Sequence, residues 1–141
     1  MEKSQQNNSI CQLAYHIVWC TKFRHPVLKE KESVVLKLIL NETAIAYGWK
    51  IGALEIMPDH VHILIEAPHT IAPVTIAQTL KSISAVRLFY AFPNLKEKKF
   101  WGTGLWSKGT FYGTVGSTSE ENIKNYIEQQ KSKKQAIHLT R

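Results

Sequence analysis

Cysteine is scarce in this chain: Cys11 and Cys20 are the only two among 141 residues. Both fall in one apolar, strand-like stretch. An extended strand holds them too far apart for a disulfide, and without any C-x-x-C spacing they do not make a zinc site. They read as reduced residues of a cytoplasmic protein. No apolar run approaches the length that spans a bilayer, and the polar segment Met1–Ser9 has no signal-peptide core. A cytoplasmic location with no membrane partner is therefore expected. Internal repeats, low-complexity segments and interdomain linkers are also missing. Acidic residues are few: 11 Asp and Glu stand against 18 Lys and Arg, a formal net charge of +7. The sequence pI is about 9.5. Such a balance favours a polyanionic partner, most commonly nucleic acid. The alternative is a basic surface with no such partner.

What is present is the composition of one ordinary globular domain, 44% hydrophobic and 21% charged, long enough for a real core. Residues 1–9 read as a flexible lead and 10–141 as a single domain. Ile10 to Phe23 is rich in β-branched and aromatic residues and predicts a first strand, apolar on both faces as a central strand would be. Glu30 to Tyr47 has apolar residues near helical spacing, with Gly48 as its stop. Trp49 to Ile56 predicts a second strand, Met57-Pro58-Asp59 a tight connection, and His60 to Glu66 a third strand. Pro68 to Thr75 reads as a loop and Ile76 to Ala91 as a second helix, with Ile76, Ala77, Leu80 and Ile83 inward. Phe92-Pro93 ends it. Lys96 to Lys99 forms a basic turn. Phe100 to Val115 reads as an irregular hairpin or a strand with a long lead-in. Thr118 with Glu121 makes a capping box that opens a last helix, running to about Lys134. The order of the first six elements predicts an α+β fold, the ferredoxin-like split βαβ antiparallel sheet, with an added C-terminal helix.

Chemistry concentrates in two places. In the third strand, His60 and His62 point to the same face, because side chains alternate along a strand. Val61, Ile63 and Ile65 take the opposite, buried face. Two imidazoles on one open face form half of a divalent-metal site, or are simply surface or core histidines. Asp59 either orients one of them by accepting a ring N–H or only shapes the turn after Pro58. In the last helix, Tyr126 and Gln130 lie one turn apart on one face. Ile123, Tyr126, Ile127 and Gln130 also form an ordinary amphipathic stripe, so a packing role for Tyr126 competes with a chemical one. Gln130 is the odder member, since a buried amide needs partners. The two places fit one reaction. A divalent ion on two imidazoles and an amide oxygen keeps positions open for phosphate oxygens, and an adjacent tyrosine can attack phosphorus.

Several segments at compatible spacing carry a resemblance. They are Tyr15-His16-Ile17-Val18-Trp19-Cys20-Thr21-Lys22-Phe23-Arg24, Met57-Pro58-Asp59-His60-Val61-His62, Leu80-Lys81-Ser82-Ile83-Ser84, Leu105-Trp106-Ser107, Val115-Gly116 and Tyr126-Ile127-Glu128-Gln129-Gln130. Together they resemble the single-strand tyrosine transposases of the insertion sequence 200/605 type, within the histidine-hydrophobic-histidine endonuclease superfamily. The resemblance implies that His60, His62 and Gln130 bind Mg2+ or Mn2+ and that Tyr126 is the nucleophile. It implies a homodimer that recognises DNA hairpins at transposon ends, cleaves single strands, and leaves a 5′-phosphotyrosine and a free 3′-OH for later rejoining. In several members the tyrosine helix serves the partner subunit's metal site. No nucleotide cofactor is implied. The four key positions show no departure, and Phe23 stands where many members have tyrosine.

Basic side chains offer candidate DNA contacts: Lys22, Arg24, Lys81, Arg87, Lys131, Lys133 and Lys134, each with solvated surface charge as its alternative. Trp101, Trp106, Phe111 and Tyr112 are base-stacking platforms or core and interface residues. Competing functions are a domesticated relative that processes repeat hairpins, a replication or conjugation nickase, and a metal-dependent enzyme acting on a small substrate. A further rival is a non-catalytic nucleic-acid-binding module on the same scaffold. That module leaves the His60, His62, Tyr126 and Gln130 set without a role and lacks an RNP-like aromatic pattern.

Overall fold

The computed structural model describes residues 12–100 and 104–116. In chain order they form β1 (Gln12–Thr21), a short 3-10 turn (Lys22–Arg24), α1 (Glu30–Tyr47), β2 (Lys50–Met57), β3 (His60–Pro68), α2 (Pro73–Ala91) and β4 (Trp106–Gly116). A helical turn at Pro93–Leu95 and a π-turn at Lys96–Phe100 link α2 toward β4. The sheet order is β2-β3-β1-β4 and every neighbouring pair is antiparallel. This is the ferredoxin-like α+β arrangement expected from the sequence. The expected C-terminal helix and its Thr118–Glu121 capping box lie outside the described residues.

β1 sits between β3 and β4. A strand in that place is covered on both faces, and its side chains from Ala14 to Trp19 are all buried. Tyr15, Ile17 and Trp19 join Val61, Ile63, Ile65 and Ala67 of β3 on one face of the sheet, where they pack with Leu36, Ile39 and Leu40 of α1 and Ile76, Leu80 and Leu88 of α2. The opposite face holds a smaller cluster, Ala14 and Leu64, flanked by Ala53 and Val115.

Helix α1 begins and ends where expected, but its inner face differs from its most obvious apolar residues. Leu36, Ile39, Leu40, Thr43 and Ala44 are buried, whereas Val34, Leu38 and Ile45 are exposed. Apolar residues occur around most of this helix, so packing against α2 and the sheet, rather than periodicity, selects the inner face. Thr43 is accommodated because its hydroxyl donates to the Ile39 carbonyl at 2.8 Å. Helix α2 starts three residues earlier than expected. Pro73 occupies its first turn, where a missing N–H is harmless and the fixed φ is already helical. The segment from Trp106 to Gly116 is one continuous edge strand rather than a hairpin. Cys20 is a half-buried free thiol. Among the described residues, no helix is long and apolar enough to cross a membrane.

Candidate active site

Strand alternation in β3 puts Val61, Ile63 and Ile65 into the main core, which fixes His60 and His62 on the other face. In register, His62 pairs with Val18 of β1 and Glu55 of β2, and His60 with Cys20 and Met57. The face is not the open surface expected from the sequence: His60 is 6% exposed and His62 2%. Imidazoles held this far from water need fixed polar partners, and their donor nitrogens can be aimed without competition from solvent.

The partner of His60 is its own neighbour. Asp59 Oδ1 lies 2.8 Å from His60 Nδ1. An ionised carboxylate only accepts, so a ring proton sits on Nδ1, and in the neutral imidazole Nε2 is then the lone-pair nitrogen. The other carboxylate oxygen, Oδ2, accepts from Arg24 Nε at 3.2 Å and forms an ion pair with Arg24 Nη2 at 3.1 Å. Burial pushes the Asp59 carboxyl up, but the His60 hydrogen bond and the positive charge of Arg24 outweigh it and hold the group below the ordinary carboxylate range. Beside His62 stands a third histidine, His16 of β1, which is fully buried. The two ring centroids are 4.3 Å apart in an edge-to-face contact, and Phe111 closes on the far side of His16 at 6.0 Å. His16 escaped the sequence reading, although its place two residues before Val18 on a central strand puts it on the same face as His62.

This donor set fits a divalent cation. One imidazole has its second nitrogen tied to a carboxylate, the usual arrangement of a metal-ligating histidine, and the other is packed against an aromatic wall. Among the described residues, no group of three or more His, Cys, Asp or Glu side chains converges as a complete site. The two histidines therefore need further donors. Tyr126 and Gln130, the other expected members, lie outside the described residues.

Residues 9–130 match the family model of IS200-like transposases. The chain belongs to that family. It is 39% identical to the ISDra2 transposase TnpA of Deinococcus radiodurans over 133 residues, covering 94% of each chain. It is 28% identical to the transposase for insertion sequence element IS200 of Salmonella typhimurium over 116 residues, 82% of this chain and 75% of that one. A crystal structure from Deinococcus radiodurans R1 superposes with a TM-score of 0.69 at 40% identity, over 84% of this chain and 91% of that one. A REP-associated tyrosine transposase bound to a REP hairpin shares the fold, with a TM-score of 0.58 at 12% identity, over 82% of this chain and 62% of that one.

As an IS200-like transposase the chain must meet DNA, and the structure shows how its candidate contact residues are engaged. Lys81 reaches from α2 to β4, donating to the Ser107 carbonyl at 2.9 Å and Thr110 Oγ1 at 3.0 Å. Burial lowers the pKa of its ammonium group, partly countered by the nearby Cys20. Arg87 pairs with Glu42 across the two helices at 2.8 Å. Arg24 holds Asp59, and Lys22 lies over the Phe23 ring at 5.8 Å. Lys131, Lys133 and Lys134 lie outside the described residues. Of the aromatic candidates, Trp106 belongs to the core: it packs edge-on against Trp19 and its Nε1–H donates to Ser84 Oγ at 3.0 Å. Phe111 and Tyr112 are exposed, at 55% and 37%, and Trp101 lies outside the described residues.

Proposed function

We propose that this IS200-like transposase cleaves and rejoins single-stranded DNA at hairpin-bearing transposon ends, using Tyr126 as nucleophile and a Mg2+ or Mn2+ ion held by His60, His62 and Gln130. The observation that carries this reading is the buried histidine pair on one face of β3, with the Nδ1 of His60 bonded to Asp59 as the outer nitrogen of a metal-ligating histidine is. Family membership supports a transposase, and the hairpin-bound neighbour of the same fold supports a hairpin as the recognised form of DNA. A homodimer completes the proposal.

Tyr126 would attack the phosphorus in line with the departing 3′ oxygen. The new bond joins the phenolic oxygen to phosphorus, and the bond from phosphorus to the 3′ oxygen breaks. The phenol gives up its proton and the leaving oxygen takes one, so the products are a 5′-phosphotyrosine and a free 3′-OH. Because the phosphodiester is exchanged rather than hydrolysed, attack by another 3′-OH reverses the step and joins strands. An ordinary tyrosine ionises near pH ~10, so positive charge beside Tyr126 is needed to favour the phenolate. A bound divalent ion would supply Lewis acidity at the non-bridging phosphate oxygens.

The test is a denaturing gel of the full chain with single-stranded DNA from the flanks of its own gene, with and without Mg2+. A protein–DNA adduct is expected that needs the metal, is absent with duplex DNA, and is abolished in Tyr126→Phe while hairpin binding persists. Normal cleavage by Tyr126→Phe would overturn the nucleophile assignment. Strong activity in chelator would overturn the metal.

A further inference from the structure

We propose that Arg24 is a positioning residue for His60, acting through Asp59 to fix the imidazole that faces the metal; the inference rests on the metal reading above. Three observations carry it. The first is local backbone. Phe23 and Arg24 are consecutive non-glycine residues with φ of 58° and 54°, a left-handed conformation that costs L-residues roughly 1–2 kcal/mol each. Such a conformation persists where surrounding contacts over-determine it.

The second observation is what over-determines it. The chain from Thr21 to Leu28 is laced to the β2–β3 turn and to the start of β4. Thr21 N–H donates to the Asp59 carbonyl at 3.0 Å, Leu28 N–H to the Pro58 carbonyl at 2.9 Å, and Lys22 N–H to the Leu105 carbonyl at 2.8 Å. Thr21 Oγ1 donates to the His25 carbonyl at 2.8 Å and closes the loop on itself. The left-handed pair lies inside this brace, and it delivers the Arg24 side chain to the Asp59 carboxylate.

The third observation is how the carboxylate is shared. Both Arg24 nitrogens address Oδ2, and His60 Nδ1 addresses Oδ1. With Oδ2 held by two nitrogens of one planar guanidinium and Oδ1 by the imidazole, the carboxylate is gripped at both oxygens, and Oδ1 faces the His60 ring nitrogen. The carboxylate then favours the ring proton on Nδ1, which in the neutral imidazole makes Nε2 the ligating nitrogen. A lysine at position 24 would restore the charge but not the two-donor grip. Loss of an outer partner of a ligating histidine lowers metal affinity about 10–100-fold.

The experiment uses the metal-free full chain without DNA and Mn2+ as the probe, followed by electron paramagnetic resonance of the free ion. Arg24→Ala and Asp59→Asn are expected to weaken Mn2+ binding by about 10-fold or more, Arg24→Lys to recover only part of that loss, and His60→Ala to abolish binding. Imidazole 1H–15N correlation spectra give a second readout that needs no metal. In the wild type the His60 proton is expected on Nδ1, and in Arg24→Ala the two tautomers should mix. If His60→Ala loses the ion but Arg24→Ala binds it like the wild type, the positioning role is wrong. If Arg24→Ala keeps Mn2+ affinity and loses only affinity for single-stranded DNA, Arg24 is a phosphate contact and the proposal falls. If the wild type and His60→Ala bind Mn2+ equally, the metal reading fails instead, and the tautomer spectra still decide whether Arg24 fixes the ring. Should Arg24→Ala not fold, Arg24→Lys and Asp59→Asn carry both readouts.

Discussion

At the scale of single residues, the sheet and helices hold several polar groups whose roles differ from their surface appearance in the sequence. Lys81 reads as one more cation of a basic protein, yet its ammonium is drawn in between α2 and β4 and spends two hydrogen bonds on Ser107 and Thr110. Burial lowers its pKa. Between the folded-state pKa and the ordinary value near 10.5, the unfolded chain binds the proton that the folded chain has released. Stability contributed by this site therefore rises with pH across that window, and below it the buried charge is a fixed penalty. The expected outcome is that the stability difference between wild type and Lys81→Met shifts in favour of wild type as pH is raised toward 10.5. Urea unfolding of both proteins at a series of alkaline pH values measures it, and a pH-independent difference would show that the ammonium is not desolvated. A change at the core is expected to act without pH dependence. Leu80 is fully buried against the sheet, so Leu80→Ala should destabilise by about 2–5 kcal/mol, read from the shift of the same urea midpoint.

At the scale of elements, the connection between α1 and β2 shows how a helix end is specified. Gly48 has φ 78°, its N–H donates to the Ile45 carbonyl at 3.1 Å, and the Trp49 N–H donates to the Ala44 carbonyl at 2.8 Å. This is the Schellman pattern, and Trp49 and Ala44, both buried in the main core, complete it with their apolar side chains. A Cβ at position 48 would meet nothing within 4 Å, so Gly48→Ala should lose only the backbone preference, about 1–2 kcal/mol. A larger loss in urea unfolding would mean that the turn itself rearranges. Such signals are legible in sequence because they are local: a glycine after an apolar helix, alternation along His60 to Ile65, a β-rich run apolar on both faces. The failures have a common cause as well. Pro73 marks a helix start as readily as a loop. The inner face of α1 depends on which neighbours it meets, not on its own periodicity. The His60–His62 pair is visible as an alternating pattern, but the Arg24–Asp59–His60 chain joins residues 35 positions apart, and only the sheet register and the left-handed turn bring them together.

At the scale of the whole molecule, the net charge of +7 is distributed unequally between structure and binding. Arg24, Lys81 and Arg87 are occupied by Asp59, by Ser107 and Thr110, and by Glu42. A cation must leave such partners before it can release counterions from a phosphate backbone, whereas Lys131, Lys133 and Lys134 follow Tyr126 and Gln130 directly in the chain. Phosphate contacts made there would draw the strand toward the proposed nucleophile. For single-stranded DNA each neutralised phosphate contributes about 0.7 to the slope of log affinity against log salt. Replacing Lys131, Lys133 and Lys134 together with glutamine is therefore expected to flatten that slope by about 2. Lys81→Gln and Arg87→Gln should leave the slope unchanged. Fluorescence-anisotropy titrations of a labelled hairpin strand at several salt concentrations separate the two groups. A flattened slope in Lys81→Gln would mean that this ammonium exchanges Ser107 and Thr110 for phosphate on binding, and that the contact between α2 and β4 opens when DNA arrives.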